Sequence, residues 1–183
     1  MDKRKRVAST ITGELIEAHS LIFTKNKCSP NARMVFTNAE SLVFDIWFDK
    51  HYYIRERHGD ENGKRDGIDP DAVKNCVLKA AKHLIFYAIK LRNFSFVNFG
   101  VVNRPERVIL TLEKENEINL NIVTEYHHLS LNRYEVTVKT ALRKNDFYFG
   151  DGDYQVTIHE DGSSTLFRKE RGKVNSISEY LSP

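Results

Sequence analysis

Residues 69–91 read DPDAVKNCVLKAAKHLIFYAIKL, and the fold is worked out from them in both directions. Asp69 is placed to cap a helix, Pro70 fits the first helical position, and Asp71 suits the positive helix start. Val73, Cys76, Val77, Ala80, Ala81, Leu84, Ile85, Ala88 and Leu91 then recur as one wide apolar stripe. The spacing predicts a single helix of about 20 residues.

After Asn93 the hydrophobic period changes from helical to alternating. Phe94, Phe96 and Phe99 mark a first short strand, and Val108, Leu110 and Leu112 a second. Ile118, Leu120 and Ile122 alternate with Asn119 and Asn121 in a third. Tyr134, Val136 and Val138 alternate with Glu135, Thr137 and Lys139 in a fourth. Tyr154, Val156 and Ile158 make a fifth, and the Asp161-Gly162 turn leads into a last strand near Thr165 to Arg168.

Upstream of the helix the signals are mixed. Residues 10–23 read as a short helix or an early strand, Asn26 to Asn31 as a turn, and Met34 to Phe36 as a brief strand. Asn38 is placed to cap a helix from Ala39, with Leu42, Val43, Ile46 and Trp47 at helical spacing, continuing through His51, Ile54 and His58. Gly59 to Gly67 reads as a loop. Helices first and strands later predict an α+β fold: N-terminal helices, one long central helix, then an antiparallel meander of about five or six strands.

Composition bounds the function classes. A chain of 183 residues suits one domain spanning 1–183, with a flexible basic tail at residues 1–9. Hydrophobic residues at 40% and charged residues at 29% exclude wholesale disorder. A net charge of +3 and a pI near 8.8 are compatible with a nucleic-acid partner without demanding one. Cys28 and Cys76 offer at most one disulfide and no zinc framework, and read as reduced thiols of a cytoplasmic protein. No apolar run approaches the roughly 18 residues that span a bilayer.

Two clusters have chemistry to offer. On a helix, His51, Arg55 and His58 share one face, being spaced by four and three. Two groups that exchange protons near neutral pH beside a fixed cation form the set that cleaves a phosphodiester through the 2′-hydroxyl: base, acid and phosphorane stabiliser. The same residues also read as a solvated amphipathic face on which Glu56 balances the arginines. The second cluster is the outward face of the strands, with Thr111, Asn119, Asn121, Glu125, Glu135, Thr137, Lys139, Gln155, Thr157 and His159. It suits a polar polymer such as RNA, or is an ordinary solvated sheet face. Strict alternation puts Thr140 on the apolar side with Val136 and Val138.

The run from His51 through Arg55 and Arg57 to Gly67-Ile68-Asp69-Pro70-Asp71-Ala72-Val73, followed by a helix and strands, resembles the barnase–EndoU–colicin–RelE group of metal-independent ribonucleases. Within it, the chain is similar to small toxin-like domains that begin with a His-x3-Arg helix and turn through an Arg-Gly-Ile-like segment. Here that segment is Arg65-Asp66-Gly67-Ile68, with one residue inserted, and residues 59–65 form a further insertion. The resemblance covers residues 45–142. It implies catalytic roles for His51, Arg55, His58 and Lys139, and substrate contacts from Arg57, Thr137 and Thr140; His159, on the outward sheet face, is a further candidate for substrate contact. It also implies RNA as partner, no metal or other cofactor, and a cognate inhibitor as a further partner.

Other signals fall away on inspection. His58 to Asp69 echoes a calcium loop but starts on His and ends on Asp, where an acidic ligand and a bidentate Glu are expected. His127 and His128 are neighbours on a strand and point to opposite faces, so they do not share a metal. Gly150-Asp151-Gly152-Asp153 precedes no helix and is a turn. The rival to the nuclease is a non-enzymatic binding or inhibitor domain that docks a protein through its sheet face or an edge strand.

Overall fold

The computed structural model describes residues 15–17, 23–39, 42–50, 52–54, 67–100, 103–114 and 117–182. Its strands are β1 (Leu15–Glu17), β2 (Ala32–Ala39), β3 (Val43–Asp49), β4 (Val97–Asn98), β5 (Val108–Leu112), β6 (Leu120–Ser130), β7 (Arg133–Arg143), β8 (Tyr154–Ile158), β9 (Ser164–Glu170) and β10 (Lys173–Tyr180). All ten join one sheet in the order β1-β2-β3-β7-β6-β5-β8-β9-β10, with β4 pairing β6 beyond the end of β5. Lys50 and residues 52–54 are helical, and α1 runs Pro70–Lys90.

This corrects the expected fold class. The N-terminal region supplies strands where helices were expected, and the sheet is mixed: β3 pairs β7, β5 pairs β8 and β4 pairs β6, all in parallel. A simple meander contains no parallel pair, because hairpins reverse the chain at every step.

The error at 39–49 has a physical cause. Val43, Ile46 and Trp47 fit a helical stripe, yet β3 is buried along its whole length between β2 and β7. An interior strand covered on both faces carries apolar residues on both, and such a run has no period that separates it from a buried helix. Its alternation survives in chemistry: Phe44, Ile46 and Phe48 on one side, Asp45, Trp47 and Asp49 on the other.

α1 follows its local signals. The Asp69 carboxylate accepts from the Asp71 amide at 3.2 Å, Pro70 opens the helix, and the last turn carries Lys90. Its buried face, with Val73, Cys76, Val77, Ala80, Leu84 and Tyr87, packs across β5, β8 and β10. Phe48, Leu110, Ile122, Tyr126, Val136, Val138, Val156 and Leu166 complete this core from the sheet.

A bulge sets which residues of β7 face the core. Val123 pairs Thr140 while Thr124 pairs Val138, so Lys139 is the extra residue. Beyond it the parity inverts: Ala141 joins the core, and Thr140 moves to the face of Thr137 and Glu135. The alternation that put Thr140 with Val136 is therefore overturned by one inserted residue.

At the far edge, Arg171 and Gly172 both have positive φ, 51° and 78°. That is the two-residue turn whose twist matches a β-hairpin, and it forms β10, a strand the sequence reading missed. Among the described helices none is long and apolar enough to cross a membrane.

Candidate functional site

The sheet face away from α1 was expected to be solvated. It is instead largely buried, and it is polar: Asp45, Asp49, Thr111, Asn121, Glu125, His127, Glu135, Thr137 and Thr157 are all buried. Part of its cover is the segment before β2. Thr24 and Ala32 exchange two backbone hydrogen bonds, at 2.7 and 2.9 Å, closing residues 25–31 into a tight loop. Asn26 organises it, accepting from the Cys28 and Ser29 amides at 3.0 and 2.8 Å. The same side chain donates to Thr137 Oγ1 at 2.7 Å, and the Lys27 amide donates to Glu135 Oε1 at 2.9 Å. Two bonds to β7 thus lay Cys28 over the neighbouring strand β6.

Three ion pairs balance Asp45, Asp49 and Glu125. Arg133 meets Asp45 through Nη2 at 2.6 Å and Nε at 2.8 Å, and Lys139 Nζ meets Asp49 at 2.9 Å. Arg107 Nε donates to Glu125 Oε1 at 2.8 Å. In each case the carboxylate is buried and its cation is more exposed, so the basic end snorkels to the rim. Removing one partner from such a pair strands a buried charge at about 3–5 kcal/mol.

Glu125 and His127 stand two residues apart on β6 and so share this face. His127 is 4% exposed, and neither ring nitrogen has a hydrogen-bond partner; Glu125 Oε2 is likewise unpartnered and buried. An orphaned buried polar group costs about 1–3 kcal/mol, so three such atoms together need a reason. Cys28 closes the group: one ligand atom each from Cys28, Glu125 and His127 all lie within 4.8 Å of one another. Burial lifts the Cys28 thiol above its ordinary range; Thr137 pulls it down, and the Glu125 and Glu135 carboxylates push it further up. Burial lowers His127, keeping the ring neutral near pH 7 against a smaller opposing pull from Glu125. A neutral imidazole is the form that ligates metals.

The residues singled out in the sequence separate into groups. His51, Arg55, Arg57 and His58 lie outside the described residues, as does the loop through residue 66. Lys139, Thr137 and Thr140 share the polar face of β7, Lys139 tied to Asp49 and Thr137 accepting from Asn26. His159 is elsewhere. It sits just past the end of β8, three strand spacings or about 14 Å from β7, held by Glu113 at 2.7 Å and Thr165 at 3.0 Å. It lines a cleft of about 290 Å³ with Lys79, Lys82 and His83, and does not join Lys139.

Glu125 was legible in the sequence as a strand polar group, whereas Cys28 and His127 were not. The spacing Asn121, Glu125, His127 on an alternating strand was the available signal for His127. Nothing local pointed to Cys28, which arrives from about 100 residues away along the chain.

No protein family, no curated protein and no solved structure matches the chain.

Proposed function

We propose that the chain acts on RNA as a metal-independent, toxin-like endoribonuclease, or as a relative that keeps only the RNA contact. The active site would form where β3 ends and the chain runs on to His51, Arg55 and His58. One observation carries this reading. The parallel pairing of β3 with β7 sets Lys139 against Asp49, and Asp49 precedes His51 by only two residues. Two residues of chain span at most about 7 Å, so the chain sets out toward His51 from beside the cation on the sheet.

In this scheme His51 and His58 pass the proton from the 2′-hydroxyl and to the leaving 5′-oxygen. Arg55, helped by Arg57, holds the scissile phosphate, and Lys139, oriented by Asp49, stabilises the charged phosphorane. Thr137 is buried under Asn26 and Thr140 is half-buried, so both support the site from below. His159 takes no part. An RNA substrate and free thiols at Cys28 and Cys76 fit a cytoplasmic setting.

The test is incubation of the purified chain with mixed RNA in EDTA, beside His51→Ala, Arg55→Ala and Lys139→Arg. Expected are fragments ending in 2′,3′-cyclic phosphate from the parent, none from the His51 and Arg55 variants, and partial activity in Lys139→Arg. Intact RNA throughout, with no RNA retained by the protein in a filter assay, overturns the reading.

A second reading rests on β10. Among the described residues nothing pairs with its outer edge, and most of its side chains are exposed, Val174 and Ile177 among them. Such an edge accepts an extended peptide as an added strand. A protein partner recovered only with intact β10, and lost on Val174→Pro, favours docking over nuclease action.

A further inference from the structure

We infer that Cys28, Glu125 and His127 form a binding site for a zinc-class divalent cation, with Cys28 Sγ, Glu125 Oε2 and one His127 ring nitrogen as ligands. The site goes beyond the ribonuclease reading, and none of its three ligands belongs to that reading.

Three observations converge on it. Ligand atoms of Cys28, Glu125 and His127, one from each, already lie within 4.8 Å of one another. A tetrahedral ion with bonds of roughly 2.0–2.3 Å needs ligand separations near 3.4–3.8 Å, so a small inward movement of side chains closes it. Glu125 Oε2 and both nitrogens of His127 are buried without partners among the described residues, and a metal gives the carboxylate oxygen and one nitrogen a bond. Thiolate, imidazole and carboxylate together are a zinc donor set, and two anionic ligands neutralise a dication in a buried place.

The surroundings supply what metal ligands need behind them. Arg107 Nε holds Glu125 Oε1 and leaves Oε2 as the carboxylate oxygen without a partner. Thr137 accepts from Asn26 through Oγ1, leaving its own hydroxyl hydrogen for the Cys28 sulfur. The Asn26 turn fixes the cysteine in place. On binding, the Cys28 thiol gives up its proton to solvent and the thiolate bonds the ion, as metal-bound thiols do. Three protein ligands leave a fourth position for water, the arrangement of an open zinc site.

The same ion would cross-link the loop before β2 to β6. It therefore acts on the cover of the polar face, and is expected to stabilise the folded chain by ligand linkage.

The experiment uses the full chain, stripped with chelator and dialysed, then titrated with cobalt(II) and separately with zinc. Expected is one equivalent of cobalt with a thiolate-to-cobalt charge-transfer band in the near ultraviolet. The band is absent in Cys28→Ser, and Arg107→Gln weakens affinity about 10–100-fold. Thermal melting in chelator checks that each variant folds. A second measurement needs no variant: zinc slows alkylation of Cys28 in the wild-type chain at least 10-fold while leaving buried Cys76 unchanged. No charge-transfer band, together with an alkylation rate indifferent to zinc, overturns the site. RNA cleavage that persists in EDTA, by a chain that shows this band once the chelator is removed and cobalt is added, keeps the two proposals separate.

Discussion

The two faces of the sheet are both buried, and they are held by different physics. Toward α1, Phe48, Ile122, Val138 and Leu166 bury apolar surface, a force that is non-directional and tolerant of small shifts. On the far face, Asp45, Asp49, Glu125, Glu135 and Thr137 are held by specific partners at fixed distances. Burial there stabilises only while each partner is in place. One alternating sequence thus gives one face that is a core and another that is a polar network.

The largest expected effect breaks the apolar face. Phe48 is fully buried with its ring 4.3 Å from that of Tyr52, and Phe48→Ala should cost about 3–5 kcal/mol in denaturant unfolding. Next comes the polar face. Arg133→Met leaves Asp45 buried without its guanidinium, at about 2–4 kcal/mol once its partial exposure is allowed for. Adding Asp45→Leu to Arg133→Met should recover most of that loss. A double variant no more stable than Arg133→Met alone would mean the face is held by something other than paired charge.

On the helix side the expected weakness is to acid. Burial holds His83 down to about 4, with Lys82 adding to it, while Nδ1 meets Ser164 Oγ at 2.9 Å. The unfolded chain takes this proton near pH 6.5 and the folded chain resists it, so the unfolded state binds more protons in between. Stability should therefore fall as pH drops from about 6.5 toward 4, by on the order of 1–3 kcal/mol. His83→Gln should flatten that limb of the stability–pH curve, and an unchanged slope would assign it to other groups.

The smallest effect tests the cover. Asn26→Ala removes two turn bonds and the bond to Thr137, for about 1–2 kcal/mol. It should also speed alkylation of Cys28 in the metal-free chain. Loss of stability without faster alkylation would show that the loop is pinned elsewhere.

Elements with local causes were legible. The cap at Asp69, the proline after it and the apolar stripe to Leu91 specify α1 through neighbouring residues alone, and the observed helix is Pro70–Lys90. The alternation at 108–112, 120–122, 134–138 and 154–158 likewise marks strands that the structure contains. β3 was misread because burial on both faces erases the period, and Thr140 because a bulge is invisible to strict alternation. In the candidate sites, Lys139 and Glu125 were visible as strand polar groups, while His127 was set aside because it was weighed only against its neighbour His128. Cys28 left no local trace.

Short-range sterics and hydrophobic period therefore suffice for one capped helix and most of the later strands, and these are written in the local sequence. Tertiary structure alone decided the order of those strands, their parallel pairs, and the joining of β1, β2 and β3 to the same sheet. It also decided that the polar face is covered, and so that Cys28, Glu125 and His127 meet. Pairing and burial depend on contacts between residues far apart in the chain. Their free energy is a property of the assembled sheet and not of any stretch within it.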